Sequence, residues 1–312
     1  MKWARYSQGQ TLQKAKRFLP KSIYFSSLFA RSDLENKSRG YTIIEVMIVL
    51  AVTGILFSSA VLMFHGSQGR TALSQNMYDF ASKLESYANE VNSGVYSGAK
   101  TYSCSISGGK ASLSPSAGGS QGSNFDCLFL GRVIQLIPGS SKVYVYTVIG
   151  NRNIYSGGTD TGKTAKILEE TNPQIASNNG AMVMVDVYNL PTDVSFLSAK
   201  ATSITDGSVL DGYGDLVGIY ADLSDSGGAQ SNLESVAFPF SGGGNTPYST
   251  SMAECVSLNS SCASANDGYS GSGYRRIGSW NICVQSGGDR AEVKVKNTAQ
   301  GISTEVDSLS CS

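Results

Sequence analysis

The sequence predicts an α+β protein: a long N-terminal helix, one half membrane-spanning and one half amphipathic, packed on an antiparallel β-sheet with disulfide-stapled loops. Three observations carry this. An apolar run from Tyr41 to Phe64 passes, without a break in helical period, into a stripe of Leu73, Met77, Phe80, Leu84, Tyr87 and Val91. Short, apolar, turn-bounded segments recur through residues 94–312. Six cysteines all lie beyond the apolar run. With 35 glycines and 15% charged residues, the chain is globular in part and rich in loops.

Residues 1–40 read as a processing segment that leaves the mature protein, despite an apolar patch around Ile23 to Phe29. Lys2, Arg5, Lys14, Lys16, Arg17, Lys21, Arg31, Lys37 and Arg39 stand against Asp33 and Glu35, so this segment carries +7. The whole chain sums to zero, and the remainder therefore carries −7. A basic flank predicts that the N-terminal side is cytoplasmic and the large C-terminal part faces outward. An acidic exterior part argues against a dedicated nucleic-acid binder.

Residues 41–64 then form the membrane segment. About 24 residues at ~1.5 Å each span roughly 36 Å, enough to cross a ~30 Å hydrocarbon core with some tilt. Glu45 is the anomaly, because a carboxylate one turn inside such a helix costs about 2.5 to 3.5 kcal/mol on insertion scales. A cut after Gly40 would give Tyr41 a new α-amino group four residues before Glu45, on the same helical face.

The run Arg39-Gly40-Tyr41-Thr42-Ile43-Ile44-Glu45 resembles a type IV prepilin signal, closely over Arg39 to Leu56 and more loosely along the following helix. Tyr41 stands where phenylalanine is usual, and the leader is longer than most. The resemblance implies cleavage between Gly40 and Tyr41 by prepilin peptidase, methylation of the Tyr41 amine, and pairing of Glu45 with the terminal amine of a neighbouring subunit. It further implies as partners other pilin subunits through the N-terminal helix, the peptidase, the pilus assembly platform and membrane lipid before assembly. The chain would sit as a single-pass inner-membrane protein and then in a cell-surface pilus or pseudopilus. At about 272 residues after the cut it is long for a major subunit, which points on family analogy to a minor one. Two rival readings are a signal-anchored surface protein with an adhesive or glycan-binding exterior domain, and a secretory signal cut near Ser58 to Ala60. Neither accounts for a glutamate just after a basic-glycine step.

Residues 65–93 continue the helix, with Gln75, Asp79, Lys83, Glu85 and Glu90 off the apolar stripe. Gly66 and Gly69 predict a bend or partial melting at the join. His65 is the only histidine and reads as an interfacial side chain. Ser93 and Gly94 end the helix, and the Gly/Ser-rich stretch to Asn124 reads as a surface loop. Strands are predicted at Cys127 to Ile137, Val143 to Ile149, Ala181 to Tyr188, Leu216 to Asp222, Glu234 to Phe240, Ser279 to Gln285, Ala291 to Asn297 and Ile302 to Asp307. Trp280 to Val295 reads as a hairpin turning at Ser286-Gly287-Gly288-Asp289. Laying this sheet on the outer half of the helix covers the apolar face of each. The family resemblance implies the same architecture.

Cys104, Cys127, Cys255, Cys262, Cys283 and Cys311 are an even set on the exterior side, so disulfides are expected. Fifteen connectivities exist; pairing of sequence neighbours, 104 with 127, 255 with 262 and 283 with 311, encloses a loop or fastens the final strands. Metal binding is the rival, with no C-x-x-C pair and no second histidine to support it.

Gly157 to Thr164 fits G-x-x-x-x-G-K-[ST], with Met182 to Asp186 resembling a metal-holding strand. The following segment allows under two helical turns before Asn172-Pro173, so the stretch is read as a hairpin-end loop without nucleotide. Ser241 to Gly273 is rich in Ser, Gly, Asn and Thr, with Tyr248, Tyr269 and Tyr274 beside Arg275 and Arg276. Such a surface suits glycan, DNA or another subunit, against the plainer reading of a solvated loop. Asp206, Asp211, Asp215, Asp222 and Asp225 are a weak calcium candidate without EF-hand spacing. No catalytic set and no cofactor are predicted, and the chain is read as a structural and interaction protein rather than an enzyme.

Overall fold

The computed structural model describes residues 40–94, 102–115, 127–178, 181–183, 185–191, 193–223, 233–239, 247, 250–258, 273–298, 301–307 and 311, without the side chains of 62–68, 250 and 251. Residues 1–39, the His65 side chain, Asp225, Tyr248, Cys262 and Tyr269 therefore lie outside the described residues. The chain divides into two compact units, Met1–Ser58 and Ser59–Ser312.

One helix, α1 (Ile43–Ser93), runs for 51 residues. It remains helical through Gly66 and Gly69, so the partial melting expected there does not occur. Each glycine costs about 1 kcal/mol relative to alanine, and good helix formers on both sides carry propagation across so small a penalty. The helix stops where expected. Gly94 takes φ +63°, and its N–H bonds Val91 O at 3.2 Å, the left-handed ending that glycine adopts at least cost.

In the second unit a serine-rich hairpin comes first, β1 (Tyr102–Ser107) and β2 (Lys110–Pro115). The stretch assigned to loop thus holds two strands. Its apolar alternation, Cys104 and Ile106 against Leu113 and Ala111 around a Gly108-Gly109 turn, was hidden by serine. The chain then adds β3 (Cys127–Leu136), β4 (Lys142–Asn151), a small hairpin of β5 (Asn153–Ser156) and β6 (Thr159–Thr164), and a 3₁₀ turn at Leu168–Thr171. Four strands follow, β7 (Gln174–Ile175), β8 (Ser177–Asn178), β9 (Ala181–Met182) and β10 (Val185–Asn189). Next come β11 (Val194–Ser203), β12 (Val209–Leu210), β13 (Leu216–Ala221), β14 (Leu233–Ala237) and a short helix α2 (Thr250–Val256). The final strands are β15 (Arg275–Ser286), β16 (Asp289–Thr298) and β17 (Gly301–Asp307).

Eleven of the described strands make one antiparallel sheet in the order β10-β4-β3-β13-β14-β15-β11-β12, with β16 between β15 and β17, and β7 on β4. The predicted strand Ala181 to Tyr188 is in fact two, since β9 pairs with β8 and only β10 joins the main sheet. β11, unrecognised in the sequence, lies beside β15 near the other end. Register shifts at Phe196/Ser198 and Thr202/Ser203 break the period-two alternation by which it would have been found. The Trp280 to Val295 hairpin forms with Ser286 opposite Asp289 across Gly287-Gly288.

One face of the sheet receives the helix. Leu73, Met77, Phe80, Ala81, Leu84, Tyr87, Ala88 and Val91 are buried with Ile134, Val145, Phe196, Val217, Ile282 and Val293. Phe80 stacks on Tyr188 at 5.7 Å and meets Phe196 edge-on at 5.8 Å. The opposite face is covered by Leu168, Ile175, and Met252 and Val256 of α2. Here Tyr220 lies flat over strand glycines: a Cβ on Gly218 would fall 2.3 Å from its ring, and one on Gly131 would fall 2.1 Å from Ile219 O.

Candidate functional site

The start of α1 is built from four residues. Thr42 precedes the first helical residue; its carbonyl accepts from Glu45 N at 3.0 Å and Val46 N at 3.2 Å, and its Oγ1 accepts from Glu45 N at 3.3 Å. Thr42-Ile43-Ile44-Glu45 is therefore an N-cap threonine with glutamate at the third helical position, the spacing of a capping box. The Thr-x-x-Glu spacing is present in the sequence, where the same glutamate is also the one charge of the apolar run. A carboxylate in the first turn also complements the partial positive charge of the helix N-terminus. Gly40 and Tyr41 lie just ahead of the cap, Tyr41 at 82% exposure. Beyond the cap, Ile43–Val61 has a mean hydropathy of 2.2 and none of it is buried, so the segment is long and apolar enough to cross a membrane. Thr53 and Ser58 turn their hydroxyls back to Val49 O (2.8 Å) and Gly54 O (2.9 Å), which hides two polar groups within the helix itself.

Within the second unit the helix directs nearly all its charge at the sheet. Lys83 pairs with Asp186 at 3.5 Å, Glu90 with Arg132 at 2.6 Å, and Arg70 with Asp289 at 3.0 Å. Glu85 Oε1 accepts from Thr304 N (3.1 Å) and Oγ1 (2.6 Å) on the outermost strand. The outward face is left with Ala72, Gln75, Tyr78, Ser82, Ser86 and Asn89, and with Asp79 as its one charge between Thr71 and Ser93. An isolated helix in water typically shows charge there.

Residues 36–61 match the family signature described as the prokaryotic N-terminal methylation motif. The chain carries the class III signal of type IV pilins. The match spans the basic-glycine step, the cap and the apolar helix together, and so fits a membrane-anchored, type IV pilin-like protein. A pilin-type signal implies dealings with pilin subunits and a prepilin peptidase in general. No curated protein and no solved structure matches the chain.

Away from this pilin-type segment, the remaining candidates are accounted for locally. The nucleotide-loop pattern lies on the β5–β6 hairpin: Gly157 and Gly158 make its turn at positive φ, and Thr159–Thr164 is exposed throughout. Asp160 accepts from Asn153 Nδ2 (2.9 Å) and Gly162 N (2.7 Å), and no long helix follows. Asp186, the supposed metal carboxylate, accepts the Tyr87 hydroxyl at 2.6 Å. Of the arginine pair, Arg276 is engaged by Glu234 and Glu169, and Tyr274 bonds Glu169, so this corner is internally matched. Asp206 accepts from Ser208 N and Oγ, and among the described residues no three His, Cys, Asp or Glu gather into a metal site.

The cysteines staple the sheet. Cys104 bonds Cys127 and Cys283 bonds Cys311, while Cys255 is disulfide-bonded too and its expected partner lies outside the described residues. Sequence separations of 23 and 28 give each of the two bridges about 3 kcal/mol on chain-entropy accounting. Reduction is therefore expected to lower the urea midpoint of the folded domain sharply, and alkylation before reduction to leave these five cysteines unlabelled.

The Tyr87–Asp186 bond carries a pH signature. Burial alone would raise Asp186, but the Tyr87 hydroxyl and the Lys83 ammonium outweigh it and hold the carboxyl below its usual range. Burial, reinforced by Asp186, pushes the Tyr87 hydroxyl up. A depressed carboxyl contributes stability above its unfolded value near 3.9 and loses it as pH falls through the folded value. Tyr87→Phe is expected to cost about 1.5 kcal/mol at pH 7, with the gap to wild type closing below about pH 4 in urea titrations.

Proposed function

We propose that the chain is a structural subunit of a type IV pilus or related pseudopilus, of the minor kind, with no enzymatic role. Prepilin peptidase cuts between Gly40 and Tyr41, the Tyr41 amine is methylated, and Glu45 then meets the terminal amine of a neighbouring subunit as the helices pack. The assembly platform draws the processed subunit from the membrane, and the sheet-bearing part faces outward. The observation that carries this reading is the coincidence of the methylation signature at 36–61 with an exposed apolar helix whose first turn holds Glu45. The outward face of the helix beyond Arg70, on which Asp79 is the one charge, supports it, as a surface suited to lie against another helix. Head-to-tail contacts of this kind do not close, and a filament results.

The test is co-expression with a prepilin peptidase followed by intact-mass and N-terminal analysis. The product is expected to begin at Tyr41 with a methylated amine, and Gly40→Ala is expected to leave the precursor uncut. Normal processing of Gly40→Ala, or a mature start well downstream of Tyr41, would contradict the assignment.

A further inference from the structure

The sheet ends in two strands that have a partner on one side only among the described residues, β17 and β10. Such an edge presents a row of free N–H and C=O groups on which a strand of another molecule can add. β17 is well suited to that. Its seven residues, Gly301–Asp307, pair with β16 without a register shift and contain neither proline nor lysine. Its exposed charge, Glu305, is already paired with Lys296 at 2.8 Å. The usual blunting devices of bulge, proline and lysine are therefore missing from this strand.

The helix supplies another. Thr304 stands opposite Val295 of β16, yet its N–H is donated at 3.1 Å to Glu85 Oε1 of α1 and so points away from the ladder. Outward-pointing residues alternate in an antiparallel pair, which makes Ile302, Thr304 and Val306 the outward set and Thr304 its centre. The same Glu85 oxygen accepts the Thr304 hydroxyl at 2.6 Å. An incoming strand would bring a carbonyl to the central N–H and meet a carboxylate already there. Displacing that carboxylate would strip a half-buried charge of both donors.

β10 repeats the arrangement at the other end. Leu190 donates inward to Ser141 O, so by alternation Val187 faces outward. The Val187 N–H is taken by the Asp186 carboxylate, which Tyr87 and Lys83 of α1 hold at 2.6 and 3.5 Å.

We propose that Glu85 is an edge guard, occupying the central outward N–H of β17 so that β17 of a second copy cannot add to the sheet, with Asp186 doing the same at β10. A second β17 is the occupant that an unguarded edge would take. Run antiparallel about Thr304, it sets Ile302 of each copy opposite Val306 of the other, a two-fold contact that satisfies both rows at once. The role holds whether or not the chain enters a filament.

The test uses the full chain in detergent, with a photo-cross-linking non-canonical residue at Ser303, which is exposed and lies on the face of β17 opposite Thr304. Wild type is expected to give no dimer cross-linked within residues 301–307 of both copies. Glu85→Ala is expected to give one, its yield rising with protein concentration to about tenfold over wild type, the worth of one hydrogen bond to a charged group. Adding Thr304→Pro removes the outward N–H at a position where an edge strand accepts proline, and is expected to abolish the cross-link. Its absence from folded Glu85→Ala overturns the proposal, because the edge would then need no guard. A cross-link that survives Thr304→Pro overturns it too, since the contact would not be strand addition. Should Glu85→Ala not fold, Glu85→Ser, too short to reach β17, is read by the same two criteria.

Discussion

A Glu45→Leu variant is expected to accumulate in the membrane at least as well as wild type and to be absent from fibres. Removing a carboxylate from the apolar segment relieves an insertion cost of about 2.5 to 3.5 kcal/mol, so a missing fibre signal cannot be ascribed to poor membrane entry. The informative companion is Glu45→Gln. The bonds to Thr42 come from the backbone N–H of residue 45 and persist in both variants, while glutamine also keeps the side-chain type that suits the third position of a capping box. If Glu45 works only by capping, the glutamine variant assembles; if it works as a counter-charge to a neighbour's amine, both variants fail alike. Quantifying the subunit in sheared surface fibres and in the membrane fraction separates these outcomes. Normal incorporation of Glu45→Leu would end the pairing argument.

Gly131→Ala is expected to produce the largest loss of folding among single changes in the sheet. The added methyl would sit 2.1 Å from Ile219 O, 2.9 Å from Tyr220 Cδ1 and 3.0 Å from Ile219 C. The first and last of these are backbone atoms of β13, and Gly131 is in register with Tyr220 there. Relief requires the two central strands to separate, since no rotamer change moves a carbonyl. The destabilisation is put at about 3 kcal/mol or more, the overpacking range extended by the loss of strand pairing. Gly288→Ala is the control. It has nothing within 4 Å of the added carbon, and its effect is expected to stay within about 0.5 kcal/mol. Urea midpoints of the two variants, with unchanged slope, check both numbers. Equal midpoints would mean that β3 and β13 yield where the geometry shows them rigid.

Particular elements show why some of this was legible and some was not. The helix was readable in its period and its stop, because a period of 3.6 is a local property and Gly94 marks the end, but not in its continuity through Gly66 and Gly69. β13, β15 and β16 were readable because each is a short apolar or alternating run between turn signals. β11 was not, since two register shifts and the run Ser198-Ala199-Lys200-Ala201 erase its alternation while its neighbour β15 still pairs with it. The serine-rich hairpin and α2 were lost in composition that favours loops; a disulfide and a buried apolar contact hold each in place. Thr42 was missed for a different reason, a short-range capping signal overshadowed by the charge of Glu45.

By itself, the sequence determined that a basic-glycine step at Arg39-Gly40 leads into a helix that changes from mainly apolar to amphipathic, because those properties reside in neighbouring residues. It also determined which helix face seeks the sheet. Only the tertiary structure decided the strand order, the covering of the second sheet face and the partners of Glu90, Tyr87 and Arg276. Those depend on side chains dozens of residues apart meeting at hydrogen-bond distance, and an apolar pattern that repeats every seven residues holds no information about which charge it will face.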